Sequence, residues 1–353
     1  MSENSRLYEA KFAIFLPVKN GQGYVASAIR SVLNQKVSDF QLIVLENKST
    51  DETMAIVRSF NDPRISIIEA PDSLGIFENW QRIFDLIKSG QVRSEFMTIL
   101  GHDDFFYPDF LSVISELIEK YPDASLYQTH FDLIDANGGL IRPCQPVPLK
   151  ESDKDFFLAR CWKQRDSYGT GHVFRPREYV KVGGIPNFPL LMYADHLLIL
   201  RLAKLSYKVC DGRSSFAYRI HSKSTSSGRN FDFYVAFVNA VYQYFNEIKR
   251  NHGELLVNDY DKVVFGHSMM DIMNFFDFPF QSFFLGKKTE KEIACVLTES
   301  ASLLKRETLV DLTGKNFLYR SLLRLKQKII GILRLCNIFF SCAQRGSLPF
   351  RKK

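Results

Sequence analysis

Apolar and polar positions follow two alternating patterns along residues 11 to 130 of the chain. Short, continuous apolar runs, which are typical of buried β-strands, alternate with stretches in which apolar residues recur every three or four positions, as in amphipathic helices. The predicted strands are Phe12–Leu16, Gln41–Leu45, Arg64–Ile68, Phe96–Leu100 and Ser125–His130. Strands that alternate with helices over short connections predict an α/β fold with a doubly wound, mainly parallel sheet.

The rest of the chain is patterned differently. Residues from 140 to 225 are rich in Pro and Gly and predict irregular structure, apart from a helix that starts near Tyr193 and continues through Leu202. Residues 229–313 show helical spacing with many Phe and Tyr residues. No apolar stretch is long enough to span a bilayer, so we expect no transmembrane helix.

Polar loops follow three of the predicted strands: Pro17–Asn20, Glu46–Ser49 and Gly101–Asp104. Ligands of a parallel sheet bind outside the carboxyl ends of its strands, so we expect these three loops to converge on one cleft. Ser49 and Glu52 have the S-x-x-E spacing of a capping box and predict a helix start at Ser49.

Adjacent carboxylates at Asp103 and Asp104 give the third loop its chemistry. They repel each other and are costly to desolvate, and a divalent cation that joins them to a phosphate would explain the pair. The alternative is a solvated turn whose acids cap the following helix.

The net charge of +7 is concentrated at the C-terminal end. Residues 315–353 contain ten Lys or Arg and no Asp or Glu, and the preceding residues contain 36 basic and 39 acidic side chains. This split argues against nucleic-acid binding by the body of the protein. Apolar residues from Leu318 to Phe339 recur at helical spacing beside the basic residues, which predicts an amphipathic helix on an anionic membrane. A helix packed on the body is the alternative.

The six cysteines have no C-x-x-C spacing, and the N-terminus has no apolar signal region. We therefore expect a cytoplasmic protein, peripheral on the inner face of the plasma membrane if the tail binds lipid.

The order of several short motifs resembles that of the family 2 glycosyltransferases. The matching segments are Pro17–Asn20, Glu46–Thr53, Gly75 with Asn79, Gly101–Pro108, Gly183–Gly184, Ala194–Asp195 and Tyr218–Ser226. The resemblance covers roughly residues 11 to 228 and implies the GT-A fold, with a Rossmann-like, mainly parallel sheet, helices on both faces and a helical C-terminal region. It divides the chain into a glycosyltransferase domain (1–228), a helical region (229–313) and the basic tail (314–353). Within the domain, residues 11–130 are the expected nucleotide-sugar half and 131–228 the acceptor half.

The resemblance also implies roles for individual residues. Asp195 is the expected general base, and the alternative for it is an acid just inside a helix start that only interacts with the helix dipole. The expected ligands of Mg²⁺ or Mn²⁺ are Asp103, Asp104 and His221. The expected donor-binding residues are Pro17, Val18, Asn20, Glu46, Asn79 and Asp103. Among these, Glu46 would accept the N3–H of a uracil base, because a carboxylate there can only accept. A solvated loop acid is the alternative for Glu46, and a surface histidine for His221.

Three positions depart from the family pattern. Gly101 stands at the first acidic position of D-x-D-D, Glu46 replaces the usual Asp, and Ala194 replaces the Glu before the base. The Q-x-x-R-W signature of processive synthases is absent, which favours the addition of single sugars.

The expected activity is therefore inverting, metal-dependent transfer of one sugar from a nucleotide-diphosphate sugar, with a UDP-sugar expected. The expected acceptor is a hydroxyl of a glycan or lipid-linked glycan in bacterial surface-polysaccharide synthesis. Two other functions stay open. One is a non-catalytic sugar- or nucleotide-binding protein. The other is a nucleotidyltransferase, although Pro17–Gly23 lacks the G-x-G-T-R loop of that class.

Overall fold

The computed structural model describes residues 8–222, 224 and 231–256. The strands are β1 (Phe12–Val18), β2 (Phe40–Glu46), β3 (Ile65–Glu69), β4 (Phe96–Ile99), β5 (Phe105–Phe106), β6 (Leu126–Ile134), β7 (Leu140–Pro143), β8 (Lys150–Glu151), β9 (His172–Phe174) and β10 (Lys208–Arg219). The α-helices are α1 (Val25–Leu33), α2 (Thr53–Ser59), α3 (Ile76–Lys88), α4 (Phe110–Lys120), α5 (Asp153–Cys161), α6 (Pro176–Lys181), α7 (Ala194–Leu205) and α8 (Phe231–Asn251). Two short 3-10 helices, Pro189–Leu191 and Gly253–Leu256, complete the described elements.

The sheet has the strand order β3-β2-β1-β4-β9-β6-β10-β5, with β7 paired to β6 and β8 to β10. Strands β1, β2, β3 and β4 pair with one another in parallel, and β6 is parallel to β10. The short strand β9 runs antiparallel between β4 and β6, and thereby joins the two parallel halves. The predicted α/β class with a mainly parallel sheet is confirmed.

Strand β1 lies at the centre of the core, and all seven of its residues are buried. Alternate side chains of a strand point to opposite faces. Phe12, Ile14 and Leu16 lie on the face of the sheet that packs against α1 and α4. Helix α3 also packs against β1. A strand covered on both faces reads as a continuous apolar run, which is why its position is evident in the sequence.

Two sequence expectations about this region are corrected. The predicted helix start at Ser49 is wrong, because Ser49 Oγ accepts a hydrogen bond from Asn20 N and α2 begins at Thr53. The stretch from 140 to 225 is less irregular than predicted, since it contains the 12-residue strand β10.

No helix within residues 8–222 or 231–256 is long and apolar enough to cross a bilayer. The chain divides into two compact units, 1–255 and 256–353. Helix α8 falls in the predicted helical region. The remainder of that region beyond Leu256, and the predicted amphipathic tail, lie outside the described residues.

Candidate active site

The carboxyl ends of β2, β1 and β4 lie side by side at one edge of the sheet. Val18 pairs with Glu46, and the amide of Leu100, just past β4, donates to Phe15 O at 2.8 Å. The loops that follow the strands also touch: a Cβ on Gly21 would lie only 2.6 Å from Cδ2 of His102. The structure therefore brings the loops after β1 and β4 into contact, as the topology predicts.

Glu46 ends β2 as a buried carboxylate, not as a solvated loop acid. Its Oε2 accepts from Lys48 N at 3.0 Å, and its Oε1 accepts from Ser49 N at 2.6 Å. Lys48 has a φ of 50°, in the left-handed region, which turns the loop back on the carboxylate. Each oxygen retains a second lone pair, so Glu46 can still accept from a ligand.

Asn20 holds the loop after β1 against the loop after β2. Its φ is 52°, and its Oδ1 accepts a hydrogen bond of 2.8 Å from Thr50 N. Pro17 and Val18 are buried residues of β1, so their contribution to a ligand would be confined to backbone atoms or to the end of the strand.

Asn79 is buried in α3 and is linked to the end of β2 through Arg82. Its Oδ1 accepts from Arg82 Nη1 at 2.9 Å, and the same nitrogen donates to Glu46 O at 2.9 Å. Burial lowers the pKa of Arg82, and the charge of Glu46 opposes this shift. Asn79 thus helps to seat α3 on the end of β2.

The two adjacent aspartates occupy different environments. Asp104 is buried: its Oδ1 accepts from Arg219 N at 2.9 Å and its Oδ2 accepts from Thr170 Oγ1 at 2.6 Å. Burial raises the pKa of Asp104 well above its usual value, and the charge of Asp103 adds to the shift. Asp104 therefore anchors the turn to β10 and to the loop before β9.

Asp103 is the more accessible partner, with its side chain 22% exposed. Its Oδ2 lies 2.9 Å from Nε2 of His221, and its main-chain oxygen accepts from Arg219 Nε at 2.8 Å. The ring of Tyr24 packs 4.9 Å from the His221 ring, and the Arg219 guanidinium lies 4.7 Å from the Tyr24 ring. The packing of Tyr24 and Arg219 thus helps to hold Asp103 and His221 together, although the two residues are 118 positions apart in the chain.

These residues fit a divalent cation in part. Within residues 8–222 and 231–256, no three or more His, Cys, Asp or Glu side chains are grouped to hold a metal. The 2.9 Å between Asp103 Oδ2 and His221 Nε2 is nevertheless close to the spacing of two neighbouring ligands of an octahedral ion with bonds of about 2.1 Å. A carboxylate is a suitable ligand for Mn²⁺ or Mg²⁺, which otherwise retain water or bind phosphate oxygens. The imidazole, a softer ligand, suits Mn²⁺ better than Mg²⁺.

Asp195 is the second residue of α7, and the backbone before it is unusual. Leu190, Leu191 and Tyr193 all have φ between 53° and 63°, in the region that non-glycine residues rarely adopt. Such residues cost roughly 1–3 kcal/mol each and concentrate at functional sites. Burial raises the pKa of Asp195 to about 6, and the charge of Arg160 acts in the opposite direction.

A short segment before β9 joins Asp195 to the aspartate turn. Thr170 donates to Asp104, and its oxygen also accepts from Gly101 N at 3.0 Å. A Cβ on the preceding residue, Gly169, would lie 3.8 Å from the Cβ of Asp195. Gly169 and Thr170 are adjacent residues, and adjacent Cα atoms are about 3.8 Å apart. One peptide unit therefore separates the contact with Asp195 from the contact with Asp104.

Gly101 accounts for one departure from the family pattern. A Cβ there would lie 2.8 Å from Asp104 Oδ2 and 2.9 Å from Asp103 Oδ1, so no side chain fits while both carboxylates hold these positions. Sequence reasoning missed Thr170, and did not single out Arg219 within its motif. A Gly-Thr-Gly run in a glycine-rich stretch carries no signal for a hydrogen bond to a residue 66 positions away.

A comparison with known families agrees with this geometry. Residues 13–177 match the family model described as Glycosyl transferase family 2. The match covers a little under half of the chain, which is therefore similar to the family 2 glycosyltransferases over this segment. The matched segment contains the aspartate turn and Thr170, and the resemblance to this family inferred from the sequence is thereby confirmed.

Several curated proteins are similar to this chain. An uncharacterized glycosyltransferase of Rickettsia conorii is 27% identical over 223 residues, which are 62% of this chain and 36% of that protein. One from Haemophilus influenzae is 27% identical over 222 residues, 62% of this chain and 82% of that protein. Chondroitin synthase of Escherichia coli is 25% identical over 229 residues, 61% of this chain and 32% of that protein. The chain thus spans about a third of the length of the Rickettsia conorii and Escherichia coli proteins.

Among solved structures, S. aureus TarS 1–349 aligns with a TM-score of 0.54 and 15% identity, over 73% of this chain and 70% of that one. The complex of the same protein with UDP aligns with a TM-score of 0.54 over 84% of this chain and 81% of that one. At this identity the likeness shows a common fold, and the GT-A fold expected from the sequence is confirmed.

Proposed function

We propose that this chain transfers a single sugar from a nucleotide-diphosphate sugar to an acceptor hydroxyl, with inversion at the anomeric carbon. The observation that carries the proposal is the Gly169–Thr170 connection between the aspartate turn and Asp195 at one edge of the sheet. An in-line displacement requires the leaving group and the base to be held at a fixed separation. A short connection between the two sites would provide this.

Asp195 would act as the general base. Its carboxylate takes the proton of the acceptor hydroxyl while that oxygen forms a bond to the anomeric carbon. The bond from this carbon to the diphosphate oxygen breaks, and its electron pair leaves with the diphosphate. A carboxylate whose pKa is about 6 is ionised at neutral pH and is a stronger base than an ordinary Asp. Attack opposite the leaving group inverts the configuration.

Asp103 and His221 would hold Mg²⁺ or Mn²⁺, with Asp104 as the buried anchor of the turn. The bound cation would supply positive charge for the departing diphosphate. The 2.9 Å contact between the two side chains supports this assignment. Arg219 fixes the turn through Asp103 O, which keeps the Asp103 carboxylate directed at its partner.

The donor-binding residues proposed from the sequence are Pro17, Val18, Asn20, Glu46 and Asn79, with Asp103 at the phosphates. Their clustering at the ends of β1 and β2 supports a nucleotide there. A UDP-sugar is the proposed donor, because a Glu46 carboxylate with free lone pairs suits the uracil N3–H. TarS, which shares the fold, has been solved with UDP-GlcNAc and with UDP.

The proposed acceptor is a glycan or lipid-linked glycan in surface-polysaccharide synthesis, and the proposed location is the cytoplasmic face of the membrane. The basic tail, residues 314–353, would bind the anionic surface. Sedimentation with vesicles containing anionic lipid tests this part: the full chain should bind more strongly than a chain ending at Thr313. Equal binding would contradict it.

Donor hydrolysis and donor binding, measured with Mn²⁺ on the variants Asp103→Asn and Asp195→Asn, test the enzymatic proposal. Asp103→Asn should lose metal-dependent nucleotide binding. Asp195→Asn should retain binding and lose turnover by about 10²–10⁴-fold, the usual contribution of a general base. Binding without turnover in the wild-type chain, across a panel of donors and acceptors, would favour the non-catalytic alternative.

A further inference from the structure

A cavity of about 650 Å³ lies at the amino-terminal edge of the sheet, beside the start of β4. Its wall is formed by the end of α3, by the residues that lead into β4 and by part of residues 175–180, which follow β9. Strand β4 begins at Phe96 beside the cavity, and the aspartate turn starts at Gly101 after its other end. Five residues of extended chain span about 17 Å, so the cavity is separate from the candidate active site.

The lining of this cavity is strongly basic. Among the described residues that line it, the one acid is Glu95, and the four cations are Lys88, Arg93, Arg175 and Arg177. Lys88, Arg93 and Arg177 are exposed and form no ion pair with any residue that the structure describes. Positive charges that face one concave surface without balancing acids raise the local concentration of anions. The electrostatics of the cavity therefore favour an anionic ligand.

Arg175 is the fixed cation of the wall. Its Nη1 donates a hydrogen bond of 2.8 Å to Ala124 O and lies 3.3 Å from Oε1 of Glu178. Its guanidinium also lies 5.2 Å from the centre of the Phe96 ring. These contacts hold the side chain in place before any ligand binds, which reduces the entropy that a ligand contact would cost.

The segment before β4 is held in a similar way and carries an unpaired hydroxyl. Arg93 N donates to Tyr8 O at 3.0 Å, which fixes the backbone from which the Arg93 side chain extends. Ser94 is 7% exposed, and its Oγ has no hydrogen-bond partner among the described residues. Buried hydroxyls are normally hydrogen-bonded, so an unpaired one in the lining can donate to a ligand oxygen after rotation of its side chain.

We propose that this cavity binds the phosphate group of a ligand, at a second site that takes no part in the proposed sugar transfer. Guanidinium groups bind phosphate oxygens in a bidentate geometry, and a phosphate monoester carries a charge of about −1.5 to −2 at pH 7. The volume falls within the range of small-molecule sites, about 300–1,000 Å³, and leaves room for a sugar-sized group beside the phosphate. A soluble sugar phosphate and a phosphorylated lipid headgroup share this chemistry, and the test separates them.

The test compares the double variant Arg93→Gln/Arg177→Gln with the matched double variant Arg30→Gln/Lys36→Gln. All four residues are exposed, each pair of substitutions removes two positive charges, and Arg30 and Lys36 do not line the cavity. Calorimetry without Mn²⁺ would measure the Kd of glucose 1,6-bisphosphate for each chain. The cavity variant should raise this Kd at least about tenfold, because it removes charge-assisted hydrogen bonds to phosphate. The control should keep the Kd within about twofold, because salt screens exposed charges far from the ligand.

Two further variants guard against a folding effect. Arg93→Lys/Arg177→Lys keeps both charges and should retain most of the binding. Glu95→Gln removes the acid from the lining and should lower the Kd by about threefold, since a like charge near the phosphate is lost. A raised Kd in Glu95→Gln would contradict the inference, because a misfolded cavity weakens binding and does not strengthen it.

Sedimentation with phosphatidylcholine vesicles that contain phosphatidic acid forms the second arm. Every chain carries the same basic tail, so the difference between the two double variants isolates the cavity. Binding of the soluble bisphosphate assigns the site to a sugar phosphate. Vesicle binding that is lost only in the cavity variant, without bisphosphate binding, assigns it to a lipid headgroup. A wild-type chain that binds neither probe, or equal weakening in the two double variants, would overturn the inference and leave the proposed transfer activity unaffected.

Discussion

Thr170 Oγ1 donates a hydrogen bond of 2.6 Å to Oδ2 of Asp104, a residue 66 positions earlier in the chain. This contact attaches the loop before β9 to the aspartate turn, and the neighbouring Gly169 places the same loop against Asp195. The proposed metal turn and the proposed base are therefore parts of one connected structure, although they lie in different halves of the domain.

The first prediction concerns that hydrogen bond. Thr170→Val keeps the shape of the side chain but leaves the buried Asp104 oxygen and the Gly101 amide without their partner. We expect a loss of about 1–3 kcal/mol in the free energy of unfolding, since a buried group is left unsatisfied. Urea denaturation would measure it. Thr170→Ser, which retains the hydroxyl, is the control and should lose less; equal losses would show that the hydroxyl is unimportant.

A second prediction follows from the crowding at Gly101. Gly101→Ala places a methyl group within 3 Å of both carboxylates, so Asp103 or Asp104 must shift. We expect nucleotide affinity in the presence of Mn²⁺ to fall at least tenfold, with a smaller effect in its absence. Gly23→Ala, at a position with no atom within 4 Å of the new Cβ, is the matched control. An unchanged nucleotide affinity of Gly101→Ala in the presence of Mn²⁺ would contradict the described turn.

The pH dependence of turnover is a third prediction. Asp195 acts as a base when ionised, and its pKa is about 6. We expect kcat/KM to be level above this pH and to fall about tenfold per pH unit below it. The profile should be recorded at constant Mn²⁺ with a pH-independent donor concentration. An acid limb centred near 4, the usual value for Asp, would indicate a base in a solvated environment.

The same pKa predicts an effect on stability. Because the folded-state pKa of Asp195 lies above the unfolded value, the folded state binds more protons between about pH 4 and pH 6, and stability falls across this window as the pH rises. Asp195→Asn removes this partly buried charge. It should therefore raise the free energy of unfolding at pH 7.5 by up to about 3 kcal/mol, and by much less at pH 4. Denaturation of both proteins at the two pH values would measure this; an equal difference at both would contradict the assigned cause.

The fold was largely predictable because its central strands are buried on both faces. β1, β2 and β4 appear in the sequence as mostly apolar runs, and parallel topology then places the loops after them at one edge. The start of α2 was predicted wrongly, since Ser49 bonds to a residue of another loop and not to its own helix. Strand β10 was missed because it runs through polar residues such as Asp211 and Arg213 that local pattern cannot assign.

The candidate site was predictable only in its charged residues. Asp103, Asp195 and His221 stand in motifs, and a carboxylate after a strand is visible in sequence. The hydrogen bond of Thr170 and the proximity of Gly169 to Asp195 depend on which residues meet after folding, which neither periodicity nor composition reports. For the same reason the sequence could not separate the anchoring role of Asp104 from the proposed metal-binding role of Asp103.

The most direct test of the account is a calorimetric titration with UDP, GDP and CDP in turn, with and without Mn²⁺, on the wild-type, Asp103→Asn and Asp195→Asn chains. We expect Mn²⁺ to strengthen binding of one nucleotide, expected to be UDP, at least tenfold in the wild type and in Asp195→Asn, and not in Asp103→Asn. Metal-independent binding in the wild type, or loss of the metal effect in Asp195→Asn and not in Asp103→Asn, would contradict it.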